Sequence, residues 1–342
     1  MWTPRLPEMA SARLSVSTQN SQTPAHLARG YFTAVLAAAF LSTTAILIRH
    51  LTQTYQLPSL ILAFWRDVFV VATLLPAIGL LRPALLKAGR RNLAYLALYG
   101  LVLAFFNTLW TLSVALNGAA VATVLAYCSS AFTALLGWWF LKERIGWLKI
   151  AVITACIAGC VLVSGAYTAE AWNSNLGGIL AGLFSGLAYA LYSLMGRSAS
   201  QRGLSPWTTL IYTFAFASVF LLGANLLQGG PLPGSAQTPA DLLWLGSSLP
   251  GWGVLFILAA VPTVMGFGMY NVSLSLLPSS VANLIVTVEP VFTVVTAFFL
   301  LGETLSGAQI GSSLLILGGV AFLRVVEGWQ ERRAEKEDPA VY

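Results

Sequence analysis

The sequence predicts an all-α integral membrane protein of ten transmembrane helices, arranged as two five-helix repeats of inverted topology. Three observations carry this prediction. Apolar residues make up 57% of the chain and charged residues 9%, against about 25% charge in a soluble domain. Hydrophobic runs of bilayer-spanning length recur along the chain, separated by short polar connections. Moving the chain against itself by 160 residues lays 121–141 over 281–301 without a gap. Val121/Val281, Ala122/Ala282, Phe132/Phe292, Thr133/Thr293, Leu141/Leu301 and Glu143/Glu303 are then identical pairs. Five spans per repeat is an odd number, so the second half must lie inverted relative to the first.

Residues 1–29, rich in Ser, Thr, Pro and Gln, read as a disordered cytoplasmic tail. The first repeat occupies 30–166, with spans near Tyr31–Arg49, Pro58–Leu80, Leu93–Leu116, Ala119–Leu141 and Gly146–Gly165. The second occupies 175–326, with spans near Gly177–Met195, Pro206–Leu227, Val254–Leu277, Ser280–Leu301 and Gly307–Val325. Residues 327–342 form a charged cytoplasmic tail. Asn117-Gly118 and Lys142–Ile145 are so short that the spans they join must be antiparallel neighbours. The longest connection, Gln228–Gly251, is rich in Pro and Gly with Asp241 as its lone charge, and reads as a solvated loop. With the N-terminus in the cytoplasm, every Lys and Arg outside the spans falls inside except Arg49, as the positive-inside rule demands. Both termini are therefore expected in the cytoplasm, and the protein in the cytoplasmic (inner) membrane.

Polar residues at membrane depth mark the candidate site. Glu289 lies within a run of apolar residues, where a carboxylate costs roughly 2.5–3.5 kcal/mol on insertion scales. Pro290 follows it and removes a backbone donor, so the helix must kink. Span 2 carries Arg66 and Asp67. Neighbours on a helix point about 100° apart, so these two make a poor local pair. Two readings of Arg66 stay open: a structural pair with Glu289, or a cavity residue that accepts an anionic group of the substrate. Asp67 or Glu289 is the candidate for proton coupling. Thr123, Tyr127 and Ser130 share a face of span 4, and their repeat partners are Asn283, Thr287 and Pro290. Such matched polar stripes suit a shared cavity, although interhelical hydrogen bonding is the plainer use of such residues. Glu289 lies about 200° around the helix from Thr287 and reaches that cavity only through a distorted helix. Asn107 and Trp110 of span 3, Tyr189 of span 6, and Tyr270 and Asn271 of span 8 complete an aromatic-lined pocket suited to an amphipathic or planar solute. Gly178, Gly182 and Gly186 let span 6 approach a neighbour closely.

Other function classes find little support. No GxxxxGK[ST] loop, HExxH or GxSxG is present, so neither ATP hydrolysis nor an intramembrane enzyme is indicated. No metal site, cofactor or disulfide framework follows from Cys128, Cys156, Cys160 and two histidines. The basic residues set topology and give no sign of nucleic-acid binding.

Phe140-Leu141-Lys142-Glu143-Arg144 and Leu300-Leu301-Gly302-Glu303-Thr304 each end a span with a Glu. Together with Glu289-Pro290 and the buried Arg66, they make residues 30–325 resemble the drug/metabolite transporter superfamily, in its ten-span EamA-like group. Ser130 departs from that pattern, since a proline is common there, so span 4 is expected to be less kinked; Asp67 is a second departure. The resemblance implies alternating-access export or exchange of a small metabolite such as an amino acid, with protons or a counter-substrate as candidate partners. A non-transporting membrane scaffold or accessory subunit is the alternative, and in it Arg66 and Glu289 would serve folding alone.

Overall fold

The structure, a computed structural model, describes residues 24–129, 169–227, 232–277 and 288–307, with shorter stretches and single residues between and beyond these as far as 325. All regular structure among the described residues is helical. The helices are α1 (Pro24–Thr54), α2 (Ser59–Leu81), α3 (Arg90–Asn117), α4 (Ala119–Ala126), α5 (Ala169–Gln201), α6 (Pro206–Asn225), α7 (Leu249–Leu276), α8 (Glu289–Leu301) and α9 (Ile310–Gly319). Six of these are long and apolar enough to cross a membrane: 28–54 of α1, α2, α3, 175–201 of α5, α6 and α7. Their outward faces carry Phe32, Val35, Leu75, Leu98, Phe105, Val219 and Ile257, a surface that only hydrocarbon would solvate well. Successive spans run in alternate directions, which gives the bundle two ends. One holds Arg49, Asn117, Asn175, the 226–248 connection and Glu303; the other holds Arg29, Arg82, Lys87, Arg90, Arg91 and Arg202.

Helices from the two halves of the chain interleave. The most extensive packing is α1 against α7 and α3 against α5, followed by α3 against α6, α2 against α6 and α1 against α8, with α4 meeting both α5 and α8. Glycine makes the closest approaches possible. A Cβ on Gly100 of α3 would lie 2.4 Å from Phe216 Cβ and 2.9 Å from the Thr213 carbonyl of α6.

The structure changes several expectations. Helix begins at Pro24, inside the expected tail. α5 starts at Ala169 and bends at the non-helical Asn175, so the membrane span opens there. The long connection is folded onto the protein. Leu60 N–H donates to Gly234 O at 3.0 Å, Trp65 Nε1 to Leu242 O at 2.6 Å, and Ala236 N–H to the Asn225 side chain at 3.1 Å. Asp241 caps a 3₁₀ turn, Pro239–Leu243, within it. The backbone N–H groups of Thr238 and Gln237 hold its carboxyl below the usual carboxylate range. Cys128 takes part in a disulfide, where none was expected. Span 4, expected to be less kinked for want of a proline, breaks at Tyr127–Cys128, whose N–H groups bond three residues back to Val124 and Leu125. Asn283, Thr287 and Ser130 lie outside the described residues.

Gly100→Ala should destabilise the fold, because the contact it forces includes backbone and cannot relax by a side-chain turn. Gly223→Ala, with nothing within 4 Å of the new Cβ, should be neutral or stabilising by about 0.4–1 kcal/mol. Thermal midpoints of the two purified variants check both directions.

Candidate functional site

The interleaved helices enclose a cavity of about 40 Å³, room for a few waters. Its polar lining is Arg66 from α2, Asn107 from α3, Tyr127 at the end of α4, Tyr189 from α5, Tyr270 from α7 and Glu289 from α8. Trp110, Phe106, Phe267, Leu41, Thr44 and Ala126 complete it. Rings stack around one side: Phe106 lies 5.4 Å from Tyr189, Tyr189 lies 6.3 Å from Tyr270, and Trp110 lies 6.3 Å from Phe106.

Seven of the residues that the sequence singles out are thereby brought to one space: Arg66, Asn107, Trp110, Tyr127, Tyr189, Tyr270 and Glu289. Asn271 is buried but does not line the cavity, and Asp67 lies behind Arg66. Leu41, Thr44, Phe106, Ala126 and Phe267 were missed. A helical-face argument from the residues already singled out finds two of them, since Phe106 precedes Trp110 by one turn and Phe267 precedes Tyr270 by nearly one.

The charges do not pair as the Arg66–Glu289 reading has it. Arg66 Nε approaches Asp67 Oδ1 at 3.5 Å, so the adjacent residues do form an ion pair. The 100° argument holds for Cβ atoms, but an arginine stem is long enough to fold back to its neighbour. Asn107 Nδ2 fixes both Asp67 oxygens, at 2.9 and 2.8 Å. Arg66 Nη2 and Asn107 Oδ1 are buried with no hydrogen-bond partner among the described residues. The expected Arg66–Glu289 pair is not formed. Instead the single proton of the Tyr127 hydroxyl is shared between Glu289 Oε2, at 2.8 Å, and Val286 O, at 2.7 Å.

Chain chemistry explains that last arrangement. In a regular helix Val286 O would accept from the N–H of residue 290, which as proline has none. The backbone turns at Val288, and α8 starts afresh with Glu289 in its first turn and buried Pro290 next. The break turns Glu289 into the cavity, and the phenol of Tyr127 supplies the donor that Val286 lacks. Across the 160-residue offset, Val288 corresponds to Cys128, so spans 4 and 9 break at matching positions.

At the end bearing Arg49, polar side chains tie helix termini together. Glu303 accepts from the N–H groups of Ala119 and Ala120 at 3.1–3.3 Å, capping α4, and pairs with Arg49 Nε at 3.3 Å. Arg49 Nη1 also donates to Ala115 O at the end of α3. Gly118, at φ 84°, leaves room for the carboxylate: a Cβ would lie 3.0 Å from Glu303 Oε1. Asn117 donates to Gly178 O at 2.8 Å and accepts from Asn175 at 2.8 Å, joining α3 to α5.

A family model described as the EamA-like transporter family matches residues 28–165 and again 176–325. An uncharacterised transporter of Archaeoglobus fulgidus is 24% identical over 290 residues, 84% of this chain and 93% of its own. A probable amino-acid metabolite efflux pump of Salmonella typhimurium is 26% identical, over 64% of this chain and 71% of its own. The threonine/homoserine exporter RhtA of Salmonella typhimurium is also 26% identical, over 68% and 72%. A protein crystal structure superposes with a TM-score of 0.57 at 20% identity, covering 87% of this chain and 97% of the other.

Tyr127→Phe should cost about 1–3 kcal/mol, the penalty of a buried acceptor left unmet. Pro290→Ala returns an N–H to Val286 O, so the same Tyr127 substitution should cost less in that background. A double-mutant cycle on thermal or denaturant stability reads the difference.

Proposed function

The chain belongs to the EamA-like transporter family, and on that premise we propose a ten-span secondary transporter that exports a zwitterionic, amino-acid-like metabolite across the cytoplasmic membrane. The carrying observation is the pair of unlike groups in one aromatic-lined cavity. Arg66 keeps a free Nη2 after pairing with Asp67, and Glu289 has a phenol partner but no cation within salt-bridge distance among the described residues. Arg66 would receive the substrate carboxylate, Glu289 the ammonium group, and the rings the side chain. The export direction and the substrate class draw on the efflux pump and the exporter among the relatives.

Several findings support the inverted repeat and ten spans. The family model matches once in each half. Packing obeys an exchange of halves: α3 on α5 mirrors α1 on α7, and α4 on α5 mirrors α1 on α8. The broken spans 4 and 9 correspond as well. The excess of basic residues at the Arg29 end supports a cytoplasmic placement for it. Under that assignment the Arg49–Glu303 cluster closes the outer side. A cavity of about 40 Å³ is far below the roughly 300–1,000 Å³ of ligand sites, so substrate enters only when helices part. Glu289 takes up a proton when the ammonium leaves, which couples the cycle to the proton gradient.

Binding of candidate amino acids, nucleotides, sugar phosphates and cationic drugs is screened by thermal shift, and flux of any hit is measured in proteoliposomes. Arg66→Ala should weaken substrate binding about ten- to a hundredfold, the worth of charge-assisted hydrogen bonds. Glu289→Gln should abolish the dependence of flux on an imposed pH gradient. Stimulation only by nucleotides, or gradient-independent flux in the parent protein, would overturn the substrate class or the coupling respectively. Separately, Glu303→Gln should raise labelling, from the outer side, of a cysteine placed at Thr44. Unchanged labelling contradicts an outer closure.

A further inference from the structure

A second cavity, of about 450 Å³, opens between α1, α2, α6 and α7 at the Arg29 end, away from the central site. Leu74 and Ile78 of α2, Trp207 of α6 and Val264 of α7 form its walls, and Arg29 and Arg82 line it as well. Both arginines are exposed, and neither guanidinium has a hydrogen bond or an ion pair with any described residue. The wall residues of α2 recur every three to four positions, so the groove follows the helix. Ala77 and Leu81, also in its lining, are exposed at what would be the lipid surface.

We propose that this groove binds an anionic glycerophospholipid, with its phosphate between Arg29 and Arg82 and an acyl chain along α2. The volume falls in the range of ligand sites. Walls of this composition would strand a soluble anion against hydrocarbon-like surface, whereas a lipid satisfies the charges and the apolar walls together. Basic pockets between transmembrane helices on the cytoplasmic side are physically suited to anionic head groups. The leaflet that supplies the lipid follows from the sidedness proposed above, but binding itself does not depend on it or on the substrate.

The test is native mass spectrometry and thermal shift on the detergent-solubilised full chain, titrated with phosphatidylglycerol, phosphatidylcholine or sn-glycerol 3-phosphate. Phosphatidylglycerol should be retained at one per chain and bind about thirtyfold tighter than phosphatidylcholine, as two arginines at the membrane surface would give. Arg29→Gln/Arg82→Gln should erase that preference, while Arg90→Gln/Arg91→Gln, outside the groove, should keep it. Ala77→Trp, which fills the groove and leaves both charges, should also expel the lipid. Equal retention of the two lipids by the parent chain overturns the proposal. Equal losses in the two arginine double variants do so too, by showing general surface attraction. Glycerol 3-phosphate binding as tightly as the lipid points to a soluble-anion site and likewise overturns it. Because none of these readouts uses transport, a failure of the proposed substrate would leave the result standing.

Discussion

Pro290 takes one backbone donor out of the chain at a buried position, and the centre of the molecule is arranged around that missing hydrogen bond. In hydrocarbon an unmet carbonyl has no water to turn to, so the protein must supply a partner. Tyr127 reaches from the other half of the chain to do so, and the same hydroxyl holds Glu289. A single phenol therefore joins the two broken helices and fixes the carboxylate that the break exposed. The rule recurs at Pro262, whose missing N–H would have met Leu258 O. There Thr263 Oγ1 donates to that carbonyl at 2.7 Å within a π-turn, Ala259–Thr263.

Charge is distributed unequally around this centre. Asp67 has Arg66 and two hydrogen bonds from Asn107, whereas Glu289 has the phenol and no cation among the described residues. Asp67 thus acts on the cavity indirectly, by orienting Arg66 and leaving its Nη2 for another partner. Glu289 is the carboxylate with capacity to spare. That asymmetry is the physical basis for assigning the two acids different roles in the proposed cycle.

Six of the spans, the burial of Arg66 and Glu289, and the aromatic character of the cavity were legible in the sequence because each follows from composition or short spacing. Partner choice was not. The Arg66–Asp67 pair depends on side-chain reach and on Asn107, forty residues away, which no helical wheel contains. Glu303 could be seen as a repeated residue at a span end, but its use as a cap for α4 requires knowing that α1, α3 and α8 end where α4 begins. The Gln228–Gly251 segment misled for a related reason. From residue 232 on, its glycines and prolines report turns correctly, yet nothing local says that those turns dock on α2. The break in span 4 lacks a proline altogether, and its absence led to the opposite expectation.

The two kinds of polar contact differ in what it costs to break them, and this decides where the molecule can move. Arg49 and Glu303 are partly buried, with side-chain exposures of 20% and 19%, so water already reaches the pair and can take the place of part of what it loses. If the helices part at that end, water can reach Glu303, Ala119 N–H and Ala115 O and replace what they lose. The Tyr127 bond to Val286 O is buried, away from bulk water, so breaking it costs more, toward the penalty of an unmet buried acceptor. Opening that preserves the centre and separates one end is therefore the cheaper motion. A bundle with a costly midplane joint and cheaper terminal ties would rock about its middle, which is the motion that the proposed alternating exposure of a central cavity calls for.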